Sequence, residues 1–497
     1  RNRLQQLNGN RMKRRVKEII LEPGRAFSEF TLLPGYTGKD CNIQNISLET
    51  KLAENLTIGI PFLSAAMTSV TGYDMALALG KERGIGVLPA RLPTKEQAGI
   101  VDRIKNHEIG FVEKPITAQE DSSIEEVIRM VEIHGHSKIP IVDEYRVIKG
   151  MFILQHYWEV GGSLQDRVTS VMISFNSGKH VPNCNNPNIS IKKAKSLLES
   201  SKENYLVVLD NQNRLVKLAF TKDIEKINVA SAISTHKGWQ DRVRTNVEAG
   251  TDLIVIDTAD AYNYHAVDVI RKYKKMGIDV PICAGNVITY EGAMKLIKEG
   301  ADIVKVGMST GSICTTAKEK AVGRAPMAAL IDVDKARQDY FEETKRYVPL
   351  IIDGGVSNSY SMAIALKKAD AIMMGNYFNR FYESSGEKQD GKGEPTTIED
   401  KMEKVVTYGE GSERAHNLPR YGHTTQATFF PEGEEGTVKY EGRLKPYLKA
   451  DILRIKAALV NAGCMNLKEF RENAVIEVIS DYARGIVSDT HDMEVKN

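Results

Sequence analysis

The 497-residue chain sets 67 lysines and arginines against 65 aspartates and glutamates, a formal net charge of +2, with 42% hydrophobic and 27% charged residues. That balance supplies no field strong enough to recruit nucleic acid or an anionic membrane, although it leaves room for a local pocket that holds a small anion. The length exceeds one average domain, so one large domain and one smaller one are expected.

The five cysteines, Cys41, Cys184, Cys283, Cys314 and Cys464, are odd in number and widely spaced. They suit neither a disulfide framework nor a zinc site and point to the reducing cytoplasm. The chain opens with RNRLQQLNGNRMKRRVKEII, which is basic but has no apolar signal core. No window of about 18 apolar residues follows, so the chain is expected to be neither secreted nor membrane-spanning.

Short apolar runs then recur, most of them followed by a helix-like stretch. They are IPFLSAAM (60–67), GIGVLPA (84–90), VASAIS (229–234), DLIVID (252–257), VPICAGN (280–286), DIVKVGM (302–308), VPLIIDGG (348–355) and DAIMMGN (370–376). Continuous apolar runs bounded by turns are the pattern of strands buried on both faces, and intervening helices imply parallel pairing. The expected fold class is α/β, a (β/α)8 TIM barrel formed by residues 1–115 and 228–497. In such a barrel the active site lies where the strands end, at Met67, Asp257, Asn286, Cys314, Asp353 and Gly375.

Residues 116–227 interrupt the pattern and divide into two similar halves. Each reads as a polar lead-in, an amphipathic helix, a strand (KIPIVD, NYLVVLD), a turn, a second strand (IKGMFI, LVKLAF) and a closing helix. The repeat resembles a pair of CBS motifs, a tandem module that often binds adenine nucleotides. A plain spacer domain is the other reading. After the eighth strand, the segment from about 383 to 445 contains YGEGSERAHNLPRYGHTTQATFFPEGEEGTVKYEGRLKPYL. A loop of this length in a compact domain is functional or disordered, and its Arg-Tyr pair and clustered glutamates favour a flap over the active site.

Cys314 lies in STGSICTTAKEK, between a glycine turn and the start of a helix. A helix N-terminus favours the thiolate, the reactive form. By its place alone the residue reads equally well as inert packing and as a nucleophile. Gly311 and Ser312, with the turns in IIDGGVS and MMGNYF, can hold phosphate at the end of such a barrel; each turn taken singly could also be a tight turn that simply needs glycine, a reading that weakens for the set. Asp257 and Asp353, at strand ends, could accept hydrogen bonds from ribose hydroxyls or cap the helices that follow. No G-x-G-x-x-G follows an early strand, so a nicotinamide cofactor would bind without that device.

Several stretches resemble the inosine-5′-monophosphate (IMP) dehydrogenases: LSAAMTSVTG, VEAGTDLIVIDTAD, CAGNVITYEGAMKLIKEGADIVKVGMSTGSICTT, GRAPMAAL, IIDGGVSNSYSMAIALKKADAIMMGNYF, YGEGSERA and PEGEEGTVKYEGRLKPYL. The likeness runs in order over nearly the whole chain, including the inserted pair. It implies oxidation of IMP by NAD to xanthosine monophosphate (XMP), the committed step toward guanine nucleotides. Cys314 would attack the purine C2, and the resulting thioimidate would then be hydrolysed. For hydrolysis the resemblance implies Arg420 and Tyr421, brought in by the flap, and a second route through Thr316 and Glu432.

By the same resemblance, Asp353 and Gly354 hold the IMP ribose, and Ser312, Gly355, Gly375 and Asn376 surround its phosphate. Met67, Asn286, Tyr408, Gly409, Glu410, Gly411 and Glu432 contact the nucleotide. Asp257, Thr258 and Gly307 bind the cofactor. The resemblance further implies K⁺ on backbone carbonyls of Ser309, Gly311 and Cys314, completed by a neighbouring subunit in a homotetramer.

The sequence departs from the family pattern in places. Thr68 stands where Asp is common, Lys305 where Arg is common, and Thr407 where a Tyr precedes the GEGS turn. The C-terminal Glu-Gly-Gly of many members has no counterpart in ARGIVSDTHDM. Two rivals remain: a GMP reductase, which generally lacks the insertion and the Arg-Tyr pair, and a non-catalytic nucleotide sensor built on the CBS pair.

Overall fold

The computed structural model describes residues 20, 22–105, 111–112, 115–134, 137–175, 181–201, 203–220, 227–311, 316–412 and 433–480. Eight parallel strands close into a barrel: β1 (Phe62–Ser64), β2 (Ile85–Leu88), β3 (Val229–Ile233), β4 (Leu253–Asp257), β5 (Ile282–Val287), β6 (Ile303–Val306), β7 (Leu350–Asp353) and β8 (Ala371–Met374). The ring closes where β8 pairs with β1 and β2 with β3 across the insertion. Each strand grows from one of the eight apolar runs, with β5 reaching one residue further, to Val287.

Side-chain alternation explains why these runs make a closed barrel. Leu63, Leu253, Val255, Ile303, Ile351 and Met373 fill the lumen, where Leu52, Leu56 and Ile58 of the hairpin Thr50–Ala53/Leu56–Ile58 join them. Phe62, Ile254, Ile256, Val304, Val306, Leu350, Ile352 and Ile372 face outward into the helical layer. The lumen parity of β4, β6 and β7 carries on to Asp257, Lys305 and Asp353 at the strand ends.

A helix follows each strand: α1 (Tyr73–Lys81), α2 (Thr94–Lys105), α3 (Trp239–Glu248), α4 (Tyr264–Lys275), α5 (Tyr290–Lys298), α6 (Pro326–Thr344), α7 (Ser359–Leu366) and α8 (Leu444–Asn461). Local chemistry sets several starts. The side chains of Asn263, Thr289 and Asn358 accept from Ala266, Gly292 and Ser361 amides, and Pro326 sits in the first turn of α6. Among the described residues, no helix is long and apolar enough to cross a membrane.

The insertion between α2 and β3 repeats itself. Ala118–Gln119 runs parallel to Lys138–Val142, which pairs antiparallel with Ile148–Ile153. Asn183–Cys184, Tyr205–Leu209 and Leu215–Phe220 do the same, and helices Ile124–His134 and Ile191–Ser201 precede the hairpins. The hairpin turns match atom for atom. Asp143 Oδ1 accepts from the Tyr145 and Val147 amides, as Asp210 Oδ1 does from Gln212 and Arg214. Arg146 (φ 63°) and Asn213 (φ 58°) take the same left-handed place.

The two turns also bond each other, Ile148 N to Asn213 O at 3.0 Å and Leu215 N to Arg146 O at 2.8 Å, over a shared apolar core. Val112 pairs with Leu218 and Phe111 packs under the Lys217 ammonium, so the chain joins the insertion before residue 116. The expected closing helix of the second half falls at 221–226, outside the described residues.

Candidate active site at the barrel mouth

The floor of the mouth is a buried charge cluster. Lys305, 1% exposed, reaches from β6 to Asp257 Oδ1 at 3.1 Å, to Asp353 Oδ2 at 2.7 Å and to Asn286 Oδ1. An ammonium has three protons, and all three are used. Burial pulls the Lys305 pKa down, but the carboxylates of Asp353 and Asp257 outweigh it and hold the ammonium above its ordinary range. Asn286 Nδ2 donates 3.1 Å to the same Asp353 oxygen. Among the described residues no hydrogen bond reaches Asp257 Oδ2 or Asp353 Oδ1, and the two side chains are 30% and 22% exposed.

A missing side chain makes room for this cluster. A Cβ on Gly285 would lie 2.5 Å from the Lys305 Cβ, so the neighbouring strand must carry glycine where the lysine passes.

The glycine turns meet around Asp353. Gly307 (φ 139°) would bring a Cβ within 2.2 Å of the Asp353 carbonyl oxygen. Gly354 (φ 84°) would bring one to 2.6 Å from Thr310 Oγ1 and 3.1 Å from the Gly311 amide. Both the left-handed backbone and the close approach therefore require glycine. Thr310 Oγ1 donates to the Asp353 carbonyl at 2.9 Å, which ties the start of the cysteine loop to the Asp353 turn. Beyond the loop, Ser309 Oγ donates to Val322 O at 2.9 Å. Gly375 ends β8 against Met67, whose sulfur would be 2.9 Å from an added Cβ, and Asn376 opens the one-turn helix Asn376–Asn379. Thr258 Oγ1 donates to Gly285 O at 3.0 Å.

The turn at 408–412 forms a wall. It lies between strand Lys404–Tyr408 and the returning strand Glu435–Lys439, which pair antiparallel, and Ser412 bridges to Gly433. Glu410 Oε1 accepts from the Thr68 amide at 2.5 Å and from Thr68 Oγ1 at 2.8 Å. Arg91 Nε lies 2.7 Å from Glu410 Oε2, and Arg91 Nη2 donates to the Glu410 carbonyl. Ser69 Oγ donates to Tyr408 O at 3.1 Å. Burial raises the Glu410 pKa, and Asp257 pushes the same way.

Of the residues expected to do chemistry, Ser312, Cys314, Arg420, Tyr421 and Glu432 lie outside the described residues. Thr316 opens the short helix Thr316–Lys320. Ser309 and Gly311, two of the three residues expected at K⁺, are described; Cys314, the third, is not. The structure brings together Met67, Asp257, Asn286, Gly307, Asp353, Gly354 and Gly375, and hangs Tyr408, Gly409, Glu410 and Gly411 beside them. The lumen thiol of Cys283 supplies a contrast, since complete burial pushes it up to about 12 and makes it packing. Among the described residues, no group of three His, Cys, Asp or Glu is placed to hold a metal ion.

Sequence reasoning missed Arg91 and treated Lys305 only as a substitution. LPARLPTKEQ carries no motif around Arg91. The Lys305 network had a visible signal, a lysine of lumen parity between two strand-end aspartates.

Comparison with known proteins agrees with this architecture. The family described as "IMP dehydrogenase / GMP reductase domain" matches residues 24–489. An inosine-5′-monophosphate dehydrogenase of Tritrichomonas foetus is 31% identical over 503 aligned residues, covering 96% of this chain and 97% of that protein. One of Aquifex aeolicus is 30% identical, with the same coverage of 96% and 97%. A crystal structure of a GMP reductase from Trypanosoma brucei, in complex with guanosine 5′-monophosphate, shares the fold. Its TM-score is 0.66 at 21% identity, over 95% of this chain and 99% of that one. The barrel, its mouth and these likenesses together make the chain a member of the IMP dehydrogenase / GMP reductase family.

Proposed function

We propose that the chain oxidises IMP to XMP with NAD⁺. The observation that carries this reading is the floor of the mouth, where Lys305 saturates its three donors and, among the described residues, one oxygen of Asp257 and one of Asp353 accept no hydrogen bond. A carboxylate oxygen held in this way accepts charge-assisted hydrogen bonds from a ribose diol. Two of them, on β4 and β7, suit two nucleotides bound side by side, the cofactor at Asp257, Thr258 and Gly307 and IMP at Asp353. The turns of Gly354, Gly355, Gly375 and Asn376, with Ser312, then hold the phosphate.

Bound NAD⁺ supplies the hydride acceptor. The Cys314 thiolate adds to C2 of the hypoxanthine ring, and the hydride leaves that carbon, which gives a thioimidate. Water then attacks C2, the C–S bond breaks, XMP departs and the thiol is restored. Water loses its proton to Arg420, held beside Tyr421 as the neutral guanidine, or through Thr316 to the Glu432 carboxylate. K⁺ on the carbonyls of Ser309, Gly311 and Cys314, a homotetramer, and an adenine or guanine nucleotide on a CBS pair at 116–227 complete the proposal. The internal symmetry of the insertion supports the last of these.

The rival is GMP reduction with NADPH. The insertion does not separate the two activities: residues 116–227 are 112 of 497, more than a fifth, and the match to the GMP reductase structure covers 95% of this chain. The Arg420–Tyr421 pair and the two relatives at 30–31% identity favour the dehydrogenase. Mixing the protein with IMP and NAD⁺ and following NADH absorbance decides. NADH formation supports the reading; silence with IMP but NADPH consumption with GMP replaces it.

A further inference from the structure

The wall of the mouth holds a charge pair that the proposed reaction does not use. Glu410 and Arg91 have side chains only 21% and 17% exposed, and Arg91 engages both the carboxylate and the backbone carbonyl of the same residue. Thr68 supplies two more donors, its amide and its hydroxyl. Thr68 follows β1 and Arg91 follows β2, so the ends of two adjacent barrel strands grip one side chain of the turn. Ser69 and Tyr408 add a fifth link. A guanidinium can make such a two-pronged contact; an ammonium cannot reproduce its geometry.

We propose that Arg91 and Thr68 are positioning residues: acting through Glu410, they fix the turn 408–412 against the barrel mouth so that it meets the purine of a bound nucleoside 5′-monophosphate. This inference rests on the reading above that the turn belongs to the nucleotide site. Its chemistry is specific to charge. With Arg91 removed, a desolvated carboxylate is left without its cation, and the turn is free to swing the carboxylate toward water. With Asp at position 68, a second carboxylate faces Glu410, and neutralising Glu410 relieves the conflict.

The test is IMP affinity by titration calorimetry without cofactor, read beside the melting temperature. Arg91→Ala should weaken IMP binding about tenfold, the equivalent of ~1.4 kcal/mol, and Arg91→Lys should restore part of it. Thr68→Asp should weaken binding to a similar extent, and Thr68→Asp/Glu410→Gln should recover it, which a merely structural role would not do. Wild-type affinity in Arg91→Ala, or no recovery in the double variant, would overturn the proposal. If the wild type binds no IMP, the functional reading falls first. Hydrogen exchange across 404–412 then judges the grip: faster exchange in Arg91→Ala upholds it, and unchanged exchange removes it.

Discussion

In the floor of the mouth Lys305 reaches Asp257 and Asp353, each 48 residues away, whereas in the wall Arg91 and Thr68 reach Glu410 across 319 and 342 residues. The floor groups stand on hydrogen-bonded strands whose register pairs Gly285 with Lys305 and Lys305 with Ile351. Backbone ladders therefore set their places before any side chain does. The wall is a turn, and among the described residues each hydrogen bond that seats it on the barrel involves a side chain, that of Glu410, Thr68, Ser69 or Arg91. A lesion in the floor should cost fold and activity together, while a lesion in the wall should cost nucleotide binding with the fold kept.

The largest expected effect is in the floor. Lys305→Met leaves two strand-end carboxylates facing each other without a cation, and removing one partner of a buried charge cluster costs about 3–5 kcal/mol. Urea unfolding should show that loss, and NADH formation should vanish. A loss below about 1 kcal/mol would place the cluster with ordinary surface pairs. Gly285→Ala should come next, at about 1–3 kcal/mol from overpacking, because its Cβ would meet the Lys305 Cβ at 2.5 Å. If stability holds in Gly285→Ala, the close strand approach is not a constraint.

A smaller effect belongs to the wall. Burial raises the Glu410 carboxyl above its ordinary 4.5, with Asp257 adding to it and Thr68 and Arg91 opposing. The folded chain thus binds this proton more tightly than the unfolded chain. The group's contribution to stability is full below pH 4.5 and declines as pH rises through the folded pKa. The unfolding free energy of the wild type minus that of Glu410→Gln should fall across that interval; a flat difference would contradict the assignment. The smallest signal is chemical. Cys283, fully buried with its thiol pushed up to about 12, should resist iodoacetamide under native conditions, and labelling there would show that the lumen opens.

The strands and their order were legible because each barrel strand is buried on both faces and so appears as an unbroken apolar run. The inserted repeat was legible as two runs of helix, strand, turn and strand, whereas the matching Asp143 and Asp210 turns came only with the structure. The floor was half legible: Asp257 and Asp353 end their runs, but the three-way bond of Lys305 depends on lumen parity in three strands at once. The turn of the wall, 408–411, was named through the resemblance, but its anchoring was not legible. Glu410 reads as part of a glycine turn and Arg91 as a loop residue, and only closure of the barrel brings the ends of β1 and β2 to the turn. Cys314 was legible as a candidate thiol at a strand-to-helix turn, and the resemblance supplies its role; the roles of Arg420, Tyr421 and Glu432 rest on resemblance alone.

Covalent catalysis by Cys314 is read from the intact mass of protein quenched during turnover with IMP and NAD⁺. One nucleotide adduct per chain is expected, formed with one equivalent of NADH, and none in Cys314→Ala although that variant still binds IMP. An adduct that persists in Cys314→Ala, or NADH released by the wild type with no adduct at any quench time, would contradict it.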